Sequence, residues 1–101
     1  MKPDAVVSVK FYSKDNGGRI TPISAHHYQC VFLTSETKGF DCRLLLSEEK
    51  TLIPEKVYEL EVKFLDSHAA LAEIESLFEF QIWEGKVIGE GKLIKILLDT
   101  E

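Results

Sequence analysis

From Val57 to Leu65 apolar and charged side chains alternate: Tyr58, Leu60, Val62 and Phe64 share one parity, and Glu59, Glu61 and Lys63 the other. Successive side chains of an extended chain point to opposite faces, so this run separates a dry face from a wet one as a β-strand. The alternation recurs. Phe78, Phe80 and Ile82 enclose Glu79 and Gln81, while Val7, Val9 and Phe11 enclose Ser8 and Lys10. Strands are therefore expected at about Ala5 to Ser13, Tyr28 to Thr34, Phe40 to Leu46, Val57 to Leu65, Phe78 to Ile82 and Val87 to Leu97. Turn chemistry separates several of them: Asp15-Asn16-Gly17-Gly18 tolerates positive φ, Lys38-Gly39 closes a hairpin, and Glu84-Gly85 joins the last two strands.

Two stretches break the pattern. Ser67 to Ile74 reads equally as an irregular loop or as a short helix, capped by Asp66 or Ser67 with Leu71 and Ile74 on one face. In the last strand the apolar parity changes across Gly89-Glu90-Gly91, from Val87 to Ile94, Ile96 and Leu98. Glycines inside a strand mark bulges or tight corners, and one extra residue there would restore the phase. Six strands with such a corner point to an all-β fold in which a small sheet closes into a barrel and removes its own edges.

A chain of 101 residues has room for a single domain, 1–101, with one modest core. Twelve Lys and Arg against seventeen Asp and Glu leave a charge of −5, so no general attraction to phosphate is expected. No apolar run approaches a membrane span and no leader opens the chain, which points to the cytoplasm and away from membranes.

Motifs for chemistry are missing. Cys30 and Cys42 form no Cys-x-x-Cys pair; they flank a hairpin centred near Glu36, could face each other across it, and read as packing thiols. Adjacent His26 and His27 would point to opposite strand faces, and His68 is remote, so no metal site is expected. There is no nucleophile elbow, and Gly17-Gly18 lacks the spacing of a phosphate-binding loop. No catalytic group, metal or cofactor is expected, and the chain reads as a non-enzymatic binding domain. Phe78 and Phe80 have core parity, whereas Trp83 falls on the opposite face as a candidate contact residue.

The stretch Ser13-Lys14-Asp15-Asn16-Gly17-Gly18-Arg19-Ile20-Thr21-Pro22 resembles the opening of the third, C-terminal domain of the bacterial elongation factor Tu family, where a strand runs into Ser-Lys-Asp-Glu-Gly-Gly-Arg-His-Thr-Pro. Only Asn16 and Ile20 differ. The resemblance continues through Gln29, Phe32, Thr34, Gly39, Ile53-Pro54, Glu84-Gly85 and Gly89-Glu90-Gly91, and covers about Ala5 to Leu97. It implies a six-stranded antiparallel Greek-key barrel. In that family the barrel adjoins a second barrel and a GTP-binding domain, contacts the T-stem of aminoacyl-tRNA and binds the nucleotide-exchange factor. By this resemblance Gly17, Gly18 and Arg19 match an interdomain or partner loop, Gln29 and Glu84 match positions on the tRNA-facing and GTPase-facing surface, and Lys38 replaces a threonine near the tRNA backbone.

The departures are also informative. The family's Pro-Gly-Asp turn reads Pro54-Glu55-Lys56, its hairpin arginine falls at Leu33-Thr34-Ser35, and its arginine beside the matched glutamate is Trp83. A single glycine, Gly85, stands where the family has two. Lost arginines weaken phosphate positioning and suit a protein surface. The expectation is a stand-alone barrel, without a GTP site, that docks a protein partner linked to translation. The alternative is an RNA-binding module contacting the tRNA backbone.

Overall fold

The alternation of 57–64 is realised as strand β4, Val57–Phe64, which sends Leu60, Val62 and Phe64 inward and keeps Glu59 and Glu61 exposed. The computed structural model describes residues 2–18 and 23–97, without the side chains of 23–25 and 47–50. The other strands are β1 (Ala5–Phe11), β2 (Ile23–Leu33), β3 (Gly39–Leu52), β5 (Glu79–Trp83) and β6 (Val87–Ile96), with one helix, α1 (Ser67–Leu77), between β4 and β5. All pairs are antiparallel and the sheet closes in the order β1-β4-β3-β2-β5-β6, with β6 returning to β1. β2, β3 and β4 form a meander and β1 lies beside β4, which is the Greek-key arrangement. Closure gives every strand a neighbour on both sides over part of its length, while 23–30 of β2 and 46–52 of β3 run on as an arm flanked by neither β5 nor β4.

Inward residues of all six strands meet in one core. At its centre Phe32 stacks on Phe80 with ring centroids 3.9 Å apart, and Phe64 meets Phe32 edge-on at 5.7 Å. Cys30 and Cys42 are register partners on β2 and β3, and both are buried.

Several elements differ from the sequence reading. β2 and β3 extend beyond their apolar segments: after an irregularity between Ala25 and His27 pairing resumes at Ala25↔Lys50 and runs to Ile23↔Leu52. Pairing skips 46–49 and resumes at Lys50, on the far side of a polar stretch, so alternation gives no sign of it. At that irregularity His26 and His27 are both exposed.

The segment after β4 is a helix, longer by one turn than the 67–74 reading. The Asp66 carboxylate accepts from the Ala69 amide at 3.3 Å, and Ala70, Leu71 and Ile74 are buried against the core. Phe78 then ends the helix with φ +64°, its amide donating to the Ile74 carbonyl at 2.7 Å. That turn leaves its ring 58% exposed, so Phe78 is not the core strand residue its parity indicates. Positive φ strains a bulky residue. Phe78→Gly should therefore raise the unfolding free energy by about 1 kcal/mol, read by urea denaturation; a loss of stability would show that the Phe78 ring contributes more than its backbone costs.

The phase change in β6 is real but lies elsewhere. Val6 pairs with Lys95 and Val7 with Leu93, while Ile82 pairs with Gly89 and Trp83 with Val87, so the extra residues are Ile94 and Ile88, on either side of the glycines. Ile88 and Leu93 point inward and Ile94 is exposed, so the inward parity does not pass from Val87 to Ile94; Leu98 lies outside the described residues. The glycines allow close approach: a Cβ on Gly91 would come within 2.6 Å of both the Phe80 ring and the Ser8 carbonyl oxygen.

Candidate functional site

Because Phe80 and Ile82 are drawn into the core, Glu79, Gln81 and Trp83 of β5 face outward. By the same parity, burial of Cys30 and Phe32 turns Gln29, Val31 and Leu33 of β2 outward. The register places Trp83 beside Val31 on one flank and Val87 on the other, while Gln81 sits between Leu33 and Glu90. Gly39 helps shape this wall, since a Cβ there would press on the Val31 and Leu33 side chains at 2.7 and 2.9 Å.

An open groove of about 1040 Å³ runs along the wall, bordered by Trp83, Leu33, Gln81, Val87, Lys10 and Glu90. Trp83 is 39% exposed, so part of the indole packs on the wall and part offers contact area. Lys10 and Glu90 approach to 4.0 Å, both partly exposed, a separation that contributes under about 1 kcal/mol. Burial, and next the Glu90 carboxylate that accepts its hydrogen bond, holds the Tyr12 hydroxyl above the usual tyrosine range. Lys10 and Lys92 line the groove together with Glu36, Glu79 and Glu90, so among the described residues its charge is mixed rather than a positive stripe.

At the barrel end where β1 stops, Lys14–Asn16 form one 3-10 turn closed by Gly17 at φ +89°. Gly18 donates to the Ser13 carbonyl at 2.8 Å, and a Cβ on it would overlap the Tyr12 carbonyl oxygen. Glu55 ties this loop to the 53–56 turn. Its Oε2 accepts from the Ser13 amide at 2.7 Å and from Asn16 Nδ2 at 3.0 Å, and its own amide donates to the Phe11 carbonyl at 2.7 Å. Glu55 holds φ +67°, a turn position that favours glycine. Asn16 and Glu55 are two of the departures from the resembled pattern, and here each is the other's partner.

The hydrogen bonds from Asn16 and from the Ser13 amide hold the Glu55 carboxyl below its ordinary value of 4.5. A depressed folded value means that this tie is present above the ordinary value and is lost as pH falls through the folded one. Glu55→Ala should lower the amide protection factors of 13–18 at neutral pH, and acidifying the wild type should lower them too, each referred to the exchange of an unstructured chain at the same pH. Unchanged exchange in the variant would remove Glu55 from this role.

The structure gathers some of the residues singled out in the sequence and separates others. Trp83 and Gln29 share the β2–β5 outer wall, with Gln29 exposed opposite Arg43. Glu84 sits in the exposed turn above Trp83, its amide donating to the Lys86 carbonyl at 2.9 Å. Gly17 and Gly18 lie at the same end of the barrel, since Tyr12 donates to the Ile88 carbonyl at the start of β6. Lys38 is at the opposite end, where its ammonium pairs with Glu73 of α1 at 3.4 Å. Arg19 lies outside the described residues. Sequence reasoning missed Lys10, Glu90, Val87 and Tyr12: the β5–β6 hairpin sets Val87 beside Trp83 and Glu90 beside Gln81, and closure of β6 onto β1 then brings Lys10 and Tyr12 to the same wall.

No family model and no curated protein matches the chain. No helix among the described residues is long and apolar enough to cross a membrane.

Proposed function

We propose that this chain is a non-enzymatic binding module, a relative of the third barrel of elongation factor Tu, that docks a protein partner linked to translation in the cytoplasm. The observation that carries this reading is the half-exposed Trp83, standing in an open groove beside Leu33 and Val87 on a rigid barrel wall. Tryptophan in such a setting anchors protein interfaces because it contributes large contact area at low entropic cost. The adjoining Ser13–Gly18 loop, braced by Glu55, supplies a second shaped element at the same end.

The immobilised chain should capture from cytoplasmic extract a partner containing a translation component. Trp83→Ala should reduce its capture at least about tenfold, as truncation of an anchor costs roughly 2 kcal/mol or more, while the chain still unfolds cooperatively with a midpoint lowered by less than about 8 °C. Arg19→Ala tests the loop in the same way. Capture that ignores both substitutions, or that contains no translation component, would overturn the reading. Titration with tRNA at about 50 and about 200 mM salt should show no binding; affinity that falls with salt would instead establish the RNA-binding alternative.

A further inference from the structure

Cys30 on β2 and Cys42 on β3 are direct register partners. Both side chains turn into the barrel, at 5% and 3% exposure, and their Sγ atoms lie 3.8 Å apart. Opposed residues of an antiparallel pair have Cα atoms about 4.5 or 5.5 Å apart, inside the roughly 4.4–6.8 Å that a disulfide spans. A bond of about 2.05 Å needs only side-chain rotation to bring the sulfurs together. The chain has two cysteines, so each has one intramolecular partner to choose, and the fold has placed it in contact.

We propose that Cys30 and Cys42 are a dithiol that closes reversibly into a disulfide stapling β2 to β3. The oxidant is a low-molecular-weight disulfide such as glutathione disulfide. One cysteine thiolate attacks a glutathione sulfur; the sulfur–sulfur bond breaks and the first glutathione leaves, taking up the thiol proton. The second cysteine sulfur then attacks the protein sulfur of this mixed disulfide, and the second glutathione leaves with the remaining proton. Two protein thiols are thus oxidised by two electrons, and one glutathione disulfide is reduced to two thiols.

Burial, followed by the neighbouring Cys30, pushes the Cys42 thiol far up, so it stays protonated in the closed barrel. Exchange therefore proceeds during folding or when the β2–β3 ladder opens, and the closed barrel protects whichever state it has trapped. The staple acts on the strand that carries Gln29, Val31 and Leu33. A slip by one residue would turn those side chains inward, so a covalent cross-link locks the register of the outer wall.

The test is equilibration in graded mixtures of reduced and oxidised glutathione, with and without concentrated guanidinium chloride, then acid quench, alkylation and intact-mass measurement. In native buffer the product should be a monomer lighter by two hydrogens that takes up no alkylating agent. Its midpoint, as the squared concentration of reduced glutathione over that of the disulfide, should be at least about tenfold higher than in denaturant, because folding holds the sulfurs together. Cys30→Ser and Cys42→Ser should each yield only free thiol or a single glutathione adduct. A native midpoint within about threefold of the denatured one, or below it, would overturn the proposal, as would wild-type product dominated by adducts or linked dimers.

Discussion

Replacing Phe32 with alanine should lower the unfolding free energy by about 4 kcal/mol. The ring is fully buried, lies flat on Phe80 at 3.9 Å and meets Phe64 edge-on at 5.7 Å, so its removal opens a cavity bounded by strands from opposite sides of the barrel. A closed barrel collapses poorly around such a void, because moving one strand inward disturbs the ladders on both of its sides. For a domain of this size the loss corresponds to a fall in Tm of more than roughly 15 °C, and it consumes much of a typical stability of about 5–15 kcal/mol. Urea denaturation followed by far-UV circular dichroism gives the value. A loss below about 1.5 kcal/mol would show that the core around Phe32 repacks freely.

Asp4→Ala should cost about 3 kcal/mol, nearly as much, for an electrostatic reason. Asp4 is 1% exposed, and its carboxylate accepts from the Phe64 amide at 2.9 Å, the Ser67 hydroxyl at 2.7 Å and the Lys63 ammonium at 3.0 Å. Its backbone is bonded as well, the amide to the Val62 carbonyl and the carbonyl to the Leu97 amide, each at 2.8 Å. One side chain thus joins the end of β4, the first turn of α1 and the ammonium of Lys63 where the helix seals the barrel. The substitution leaves the Phe64 amide without its acceptor and strips Lys63 of its counter-ion, although Lys63 is exposed enough for water to recover part of the loss.

Burial by itself would raise the Asp4 carboxyl, but the Phe64 amide, the Ser67 hydroxyl and Lys63 outweigh it and hold the folded value below the ordinary 3.8. With the folded value depressed, the contribution is complete above the unfolded value and disappears as pH falls through the folded one. The wild type should therefore lose stability on acidification below that ordinary value more steeply than Asp4→Asn. Parallel pH profiles for the two proteins would exclude Asp4 as the source of the acid sensitivity.

Much of this architecture is legible in the order of residues. The alternation from Tyr58 to Phe64 determines a strand and its buried face by itself, since a period of two leaves no other way to segregate those side chains. The outward Trp83 and the pairing of Cys30 with Cys42 across a hairpin are readable for the same reason. What failed to show was non-local. Phe78 has the parity of Phe80, yet the amide of Phe78 caps α1 and its ring goes to solvent. The bulges of β6 fall at Ile88 against β5 and at Ile94 against β1, and Gly91 between them serves the approach of Phe80 and Ser8. Glu55 looks like an ordinary turn residue until the turn meets Ser13 and Asn16.

The sequence alone determined that this chain is all-β, which faces of its strands are dry, and that a tryptophan stands on a wet one, because these properties follow from neighbours along the chain. Only the tertiary structure decided that β6 closes onto β1, that Lys10 and Tyr12 join the wall of Trp83, that Lys38 lies at the far end with Glu73, and that Asp4 is buried against the first turn of α1. Those facts depend on strand order and closure, where the partners lie tens of residues apart and local periodicity carries no information about who meets whom.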